Sequence, residues 1–429
     1  MSPIPKNEEL ESSNEVTQKY KDILKSNGVT DEVSEVIVKD SGLQGEGFAS
    51  VSKYVTIKFQ NPSVKPLNLF VKAHTASAAH REFLTEAKLF EKESTFFMEY
   101  VPAAEEFCKS KGCEGLVDMY PKCYFGDSNM IVLENLVVDK GYELLDKNEK
   151  QDLEAVRFAI TTLAKHHAIS YALIQEMGGP ENFFKRFKNL NFEMYATSKA
   201  RSIMEPMIEN AINTNIKILQ KNKYIPGADE LIEFLNAHVG KAYDGMLDIL
   251  NYNPKNEKLL VLGHGDYWTN NMMFLKNKDT NQIIGHLAID LQVTRYNSPM
   301  VDLAYYFFTS VDSKVRREHL HEILGRYFDT LKSTALKLGH PIDLTYEELH
   351  KTYRRKIKLG FWFGICLATG AGFDSIKDVD VNTLGDLKNF SDEMDKAIQK
   401  WNDANPEKVV ENIHNLRKLV NEYKMLSIE

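Results

Sequence analysis

Cysteine is scarce: only Cys108, Cys113, Cys123 and Cys366 occur among 429 residues. Four thiols in so long a chain build no disulfide framework, and their spacing lacks the CxxC pairs of a zinc site. Long apolar runs are missing too. The richest, FWFGICLATGAG, falls well short of the roughly 18–20 residues a membrane helix requires. The N-terminus, MSPIPKNEEL, has neither a basic n-region nor an apolar h-region, so no secretory signal is expected. There is no excess of positive charge. The net charge is −8 and spread along the chain, which leaves no footprint for nucleic acid or an anionic membrane. No GxxxxGKS/T occurs, which excludes a Walker A loop, and the HRD, DFG and APE set of protein kinases is absent. These absences lead to a cytoplasmic chain that binds neither nucleic acid nor membrane, and a monomer or simple homodimer is expected.

What is present suffices to bury a core, with 43% hydrophobic and 10% aromatic residues. In VSKYVTIKF, Val51, Val55, Ile57 and Phe59 alternate with polar neighbours at the period of a half-buried strand, and LNLFVKA repeats the pattern. NMIVLENLVV reads as a further buried strand. A helix over about 79–100 sets Phe83, Phe90 and Phe97 on one stripe. After about residue 150 the periodicity is helical, over roughly 153–171, 189–222, 228–251, 314–338, 345–368 and 385–424. LLVLGHGDYW and IIGHLAID interrupt it as short strands ending in polar residues. Strands first and helices afterwards predict an α+β chain of two lobes rather than a doubly wound sheet. The boundary falls at 1–137 and 138–429, with about the first 30 residues a helical extension.

The chemistry concentrates in HGDYWTNN (264–271). Asp266 and Asn271 lie five residues apart in a loop after an apolar strand, and Asp290 ends another such strand. Phosphoryl transfer needs one carboxylate to take the attacking hydroxyl's proton and a few oxygen ligands to hold magnesium against the phosphates. Asp266, Asn271 and Asp290 supply that inventory. Lys72, in LFVKAH, shares a strand face with Phe70. On the helix after it, positions 83, 86, 90, 93 and 97 read Phe, Glu, Phe, Glu, Phe. A carboxylate among buried phenylalanines needs a cationic partner. Lys72 is the economical choice, with Glu86 or Glu93 as its acid.

HGDYWTNNMMF followed by IDLQ resembles the catalytic and metal-binding loops of the ecdysteroid kinase-like (CHK kinase-like) family, which is related to choline kinases and aminoglycoside phosphotransferases. The likeness runs from about Gly45 to the 360s. It implies a protein-kinase-like two-lobed fold that uses ATP and Mg2+ to phosphorylate a hydroxyl of a small molecule, such as an ecdysteroid or other lipophilic alcohol. It implies that Asp266 is the catalytic base and that Asn271 and Asp290 are magnesium ligands. His264 and Asp302 would support the loop structurally, and Trp268 would stand beside the acceptor.

The resemblance favours Glu86 over Glu93 as the partner of Lys72, and it makes GEGFAS, with Gly45 and Gly47, a phosphate loop. VLENL, with Glu134 and Leu136, becomes the connector beneath adenine. Two departures stand out: Leu291 where the family usually has Phe, and Gly263 where an Asn is common. His167, adjacent to His166, belongs to the apolar stripe of its helix and is expected in the core. KTYRRKIK (351–358) is expected as a solvated face. A choline- or aminoglycoside-type kinase, a nucleotide-binding pseudokinase acting as a sensor, and a helical scaffold without nucleotide are the alternatives.

Overall fold

The alternating segments fold as neighbouring antiparallel strands. The computed structural model describes residues 10–11, 14–41, 51–74, 78–146, 149–251, 256–367 and 387–427. Strands β1 (Leu10–Glu11), β2 (Val33–Asp40), β3 (Val51–Phe59), β4 (Leu67–Ala73), β5 (Cys123–Gly126) and β6 (Met130–Glu134) form one sheet in the order β1-β2-β3-β4-β6-β5. Period-2 burial places Val55, Ile57, Leu69, Val71 and Val132 on one face. Helix α1 (Asn14–Ser26) covers that face with Tyr20, Ile23 and Leu24. The expected N-terminal helix is therefore part of the sheet's own core.

The helix expected over 79–100 is not continuous. Helix α2 (Ala78–Glu86) ends, Lys88 takes a left-handed backbone (φ 54°), and α3 (Leu89–Thr95) restarts. It continues through a π turn (Phe96–Tyr100) into α4 (Val101–Ser110). The break resets the helical phase, so side chains before and after it no longer share a stripe. Phe90, Phe96, Phe97 and Tyr100 pack with Ile169, Leu173, Phe183 and Phe187. The helix is thus rooted in the helical part of the chain and also covers Ile131 and Leu133 of β6, while the other face of the sheet keeps its own core.

The run NMIVLENLVV is strand only to Glu134. Asn135 then caps α5 (Leu136–Lys140), accepting from the Val137 and Val138 amides at 3.2 and 3.1 Å. Beyond it come β7 (Glu143–Leu144), α6 (Leu153–Glu176), α7 (Pro180–Arg186) and α8 (Ser198–Lys221). The pattern over 228–251 is divided into α9 (Ala228–Asn236) and α10 (Ala242–Leu250). The island of strands is present as β8 (Val261–Gly263), β9 (Met272–Lys276), β10 (Ile283–Ala288) and β11 (Arg295–Asn297), paired β10-β9-β7 and β11-β8.

Helices α11 (Met300–Ser310), α12 (Ser313–Lys337) and α13 (Tyr346–Leu367) follow, then Leu387–Ala404 and Pro406–Leu426, where Pro406 divides the predicted 385–424 helix. The layout is the expected α+β one, a small antiparallel sheet beside a large helical region. No helix among the described residues is long and apolar enough to cross a membrane.

Two glycines let α13 lie directly on α11. A Cβ at Gly360 would stand 2.0 Å from the Ala304 carbonyl oxygen, and one at Gly364 would stand 3.0 Å from that of Phe308. KTYRRKIK, on α13, is not simply solvated. Tyr353, Lys356 and Ile357 are buried, and Lys356 Nζ pairs with Glu257 at 2.6 Å. The run straddles the helix, so its inner positions meet the core whatever their charge.

Candidate active site

Lys72 sits on β4 opposite Ser52 of β3 and Ile131 of β6, in the middle of the sheet. It is 9% exposed and reaches two carboxylates. Its Nζ lies 3.0 and 2.8 Å from the two Glu93 oxygens and 2.9 Å from Asp290 Oδ1. Burial works against the ammonium, but Asp290 and Glu93 outweigh it and hold the Lys72 pKa well above the ordinary lysine range. The helical partner is therefore Glu93, 1% exposed, and not Glu86, which ends α2 exposed to solvent. The physical reason is the left-handed Lys88, which turns the later acid inward. Glu93→Gln should lower the melting temperature by several degrees, since it leaves a buried lysine under-compensated. Glu86→Gln should change it by less than about 2 °C, as surface substitutions do. Thermal melts of the two variants decide between these acids.

The HGDYWTNN loop leaves β8 with Gly265 left-handed (φ 86°). Asp302, buried in the first turn of α11, ties it down. Its Oδ2 accepts from the His264 amide at 2.7 Å and from His167 Nε2 at 3.0 Å, and its Oδ1 accepts from the Gly265 amide at 2.9 Å. Burial alone would raise this carboxyl, but the bond and charge of His167 hold it well below the usual range. Gly263 has a reason here: a Cβ would fall 2.7 Å from Oδ2 of the Asp302 carboxylate, a group that three hydrogen bonds hold in place. His167 is in the core as expected, but it is also a bridge, with Nδ1 2.8 Å from the Tyr327 hydroxyl. Burial lowers the pKa of His264. Its Nε2 donates to Ile289 O at 3.0 Å and its Nδ1 accepts from the Asp266 amide at 3.4 Å.

Asp266 is half-buried and takes one donor on each oxygen. Tyr305 OH donates to Oδ1 at 2.5 Å, and Asn271 Nδ2 donates to Oδ2 at 2.9 Å. Burial pushes its pKa up to about 6, against the pull of the Tyr305 bond. The Asn271 amide nitrogen also donates to Asp266 O at 2.9 Å, so its carbonyl oxygen is the end turned elsewhere. The Ile289 amide donates to Asn271 O at 3.0 Å, fastening the Asp290 turn to this loop. Asp290 has a left-handed backbone (φ 66°), one of the few side-chain types that tolerate it. Leu291 is fully buried, keeping the apolar plug where the family has Phe.

Two bonded pairs, Lys72–Asp290 and Asn271–Asp266, are thus joined between sheet and loop by the backbone bond from Ile289 to Asn271. Trp268 joins Tyr195, Ile249, Tyr305 and Phe363 in an apolar cluster on the α11 side of Asp266. Leu136 packs with Met273 and Leu287 below the connector, whereas the Glu134 amide and carboxylate are engaged by Lys122 and Lys140. Gly45 and Gly47 lie outside the described residues. Tyr305 escaped the sequence reading, although it stands three residues after Asp302 on the same helix face, and that spacing was the available signal.

The sequence model of the ecdysteroid kinase-like family matches residues 44–340, more than half of the chain. The chain belongs to the ecdysteroid kinase-like family. Solved structures similar to it include an ethanolamine kinase of Plasmodium vivax, at 12% identity over 90% of this chain and 89% of that one, with a TM-score of 0.42. A choline kinase of Cryptosporidium parvum is also 12% identical, over 93% and 99%, with a TM-score of 0.41. The GDP complex of an aminoglycoside 2'-phosphotransferase is 14% identical over 90% and 99%, with a TM-score of 0.37. A Caenorhabditis elegans protein described as uncharacterized oxidoreductase dhs-27 is 29% identical over 97 residues. That stretch is 22% of this chain and spans about an eighth (12%) of the relative's length.

Proposed function

We propose that this family member is an ATP- and magnesium-dependent kinase that phosphorylates a hydroxyl of a small lipophilic molecule, such as an ecdysteroid or a xenobiotic alcohol. One observation carries the reading. A buried lysine from the sheet bonds the Asp at a strand end, and the backbone beside that Asp bonds the Asp–Asn loop, so groups distant in sequence converge on one place. A structural ion pair would need only Lys72 and Glu93; the second acid of the site, Asp290, makes it a phosphate-handling set.

The donor set fits magnesium. Asn271 would bind through its carbonyl oxygen and Asp290 through its carboxylate. Among the described residues no three of His, Cys, Asp and Glu gather into a closed metal cage. Few protein oxygens and an open remainder are what Mg2+ takes when phosphates complete its shell. Bound there, Mg2+ would supply positive charge against the transferring phosphoryl group. Lys72, steered by Glu93, would bind the α- and β-phosphates, and Leu136 would lie against adenine. Asp266 would orient the acceptor hydroxyl and take its proton onto a carboxylate oxygen. Asn271 and Tyr305 hold that carboxylate while leaving each oxygen a further lone pair.

Two features support a small acceptor. Residues 291–299 run from Asp290 into α11, too short a stretch for a peptide-docking segment. The aromatic cluster of Tyr195, Trp268, Tyr305 and Phe363 beside Asp266 suits an apolar body. The test is Mg-ATP consumption against a panel of steroid, sugar, amine and xenobiotic alcohols. Turnover with a lipophilic alcohol is expected, and silence across the panel would remove the reading. In the same assay Asp290→Ala should abolish turnover while circular dichroism stays unchanged; normal turnover by that variant would refute its metal role.

A further inference from the structure

Two buried cations lie just behind the site. Lys92, next to Glu93 in sequence, is 1% exposed and its Nζ donates to Phe192 O at 2.7 Å. Arg295, 4% exposed, opens β11 five residues after Asp290. Its guanidinium stands 5.1 Å over the Tyr195 ring, and its Nε is 3.3 Å from where a Gly265 Cβ would be. Neither Nε nor Nη2 has a hydrogen-bond partner among the described residues. The nearest carboxylate is Glu193, with Oε2 3.4 Å from Arg295 Nε.

Glu193 belongs to a segment of short turns, Lys188–Asn191 and Met194–Ala196, that crosses the face of α3. The segment grips that helix again where Asn189 Nδ2 donates to Thr95 Oγ1 at 2.9 Å, and where Lys88 stands 5.1 Å over the Phe192 ring. The helix that holds Lys72 and the strand that leaves Asp290 are thereby fastened to one piece of chain.

We propose that Glu193 is the shared counter-anion of a latch, Lys92–Glu193–Arg295, which fixes the Glu93 helix against the strand after Asp290 and so positions Lys72 for nucleotide. The nucleotide clause rests on the kinase reading above; the latch itself does not. Two buried cations facing each other without a carboxylate repel in a poorly screened environment. Burial drives Lys92 down to about 7, with Glu193 acting against that drift and Arg295 adding to it. Glu193 is a positioning residue: its carboxylate lies 3.4 Å from Arg295 on the strand, and the carbonyl of the residue before it accepts from Lys92 on the helix.

The test uses the full chain and four forms: the parent, Glu193→Gln, Lys92→Met, and the two combined. Gln keeps the oxygen that caps the Tyr195 amide at 3.1 Å, so Glu193→Gln removes charge alone. Glu193→Gln should melt lower and bind Mg-ATP about tenfold more weakly by titration calorimetry, because both cations lose a nearby carboxylate charge and Arg295 keeps only the more distant Asp266 and Asp302. Adding Lys92→Met, which removes one of them, should restore most of both losses. A packing role would show no such rescue. Unchanged melting and affinity in Glu193→Gln, or a double variant no better than the single one, overturns the latch. Should Glu193→Gln fail to accumulate folded, Glu193→Asp, which keeps the charge at shorter reach, should show an intermediate loss; parent-like values for it would refute the proposal. A parent that binds no Mg-ATP refutes the kinase reading, and the melting comparison still decides the latch.

Discussion

Asp266→Asn should lower acceptor-dependent ATP turnover by roughly 10²–10⁴ while leaving Mg-ATP affinity nearly unchanged. An amide cannot take the acceptor's proton, so the loss belongs to the chemical step. The fold should survive the change. The new amide oxygen can accept from Asn271, and the Tyr305 hydroxyl can turn from donor to acceptor. The parent should show a matching pH dependence. Burial raises Asp266 to about 6, with Tyr305 pulling the other way. Only the ionised form can act as base, so turnover should fall about tenfold per pH unit below that value.

Stability runs in the opposite direction. A carboxyl raised above its unfolded value favours the fold when protonated, and that advantage is lost as pH rises through about 6. At neutral pH Asp266→Asn should therefore melt above the parent, and the difference should shrink toward pH 4. A pH–rate profile and melts at two pH values check both limbs; a variant that keeps parental turnover would remove Asp266 as the base.

Gly265→Ala should be the most damaging added methyl group among the described glycines. A Cβ there would lie 1.9 Å from the Val293 carbonyl oxygen, and the backbone is left-handed at φ 86°. Neither obstacle is a side chain that can swing away. Steric overlap with backbone plus a strained dihedral places the cost beyond about 4 kcal/mol. A drop in melting temperature of about 5 °C or more, or failure to accumulate folded protein, is expected. Gly179→Ala is the control. That glycine also has a positive φ, 111°, but nothing lies within 4 Å of its Cβ position, so only the dihedral penalty applies. Equal melting of the two variants would contradict this account.

Much of this was legible because two periods and one motif do not depend on tertiary context. Alternation in LNLFVKA put Lys72 on a strand, and HGDYWTNN announced its loop whatever surrounds it. The identity of the acid opposite Lys72 was not legible. Counting 83, 86, 90, 93 and 97 along one stripe assumes an unbroken helix, and the left-handed Lys88 and the π turn after Thr95 invalidate the count. His167 looked apolar by position because a histidine bonded to Asp302 is as buried as any leucine. Arg295 and Glu193 carry no mark in sequence. They are a hundred residues apart, and only the pairing of β11 with β8 brings the arginine over Gly265. The inward residues of KTYRRKIK, Tyr353, Lys356 and Ile357, were hidden by a charge run whose register against α11 no local pattern records.

The contact between α11 and α13 has no spare thickness, since at Gly360 one backbone rests almost on another. Asp302 and Tyr305 ride on α11, so the height at which they meet the HGDYWTNN loop is dictated from its far side. Variation in the α13 glycines, remote from every reacting atom, would therefore surface as a defect in turnover, and the distal third of the polypeptide acts as the anvil on which the acid–base geometry is shaped.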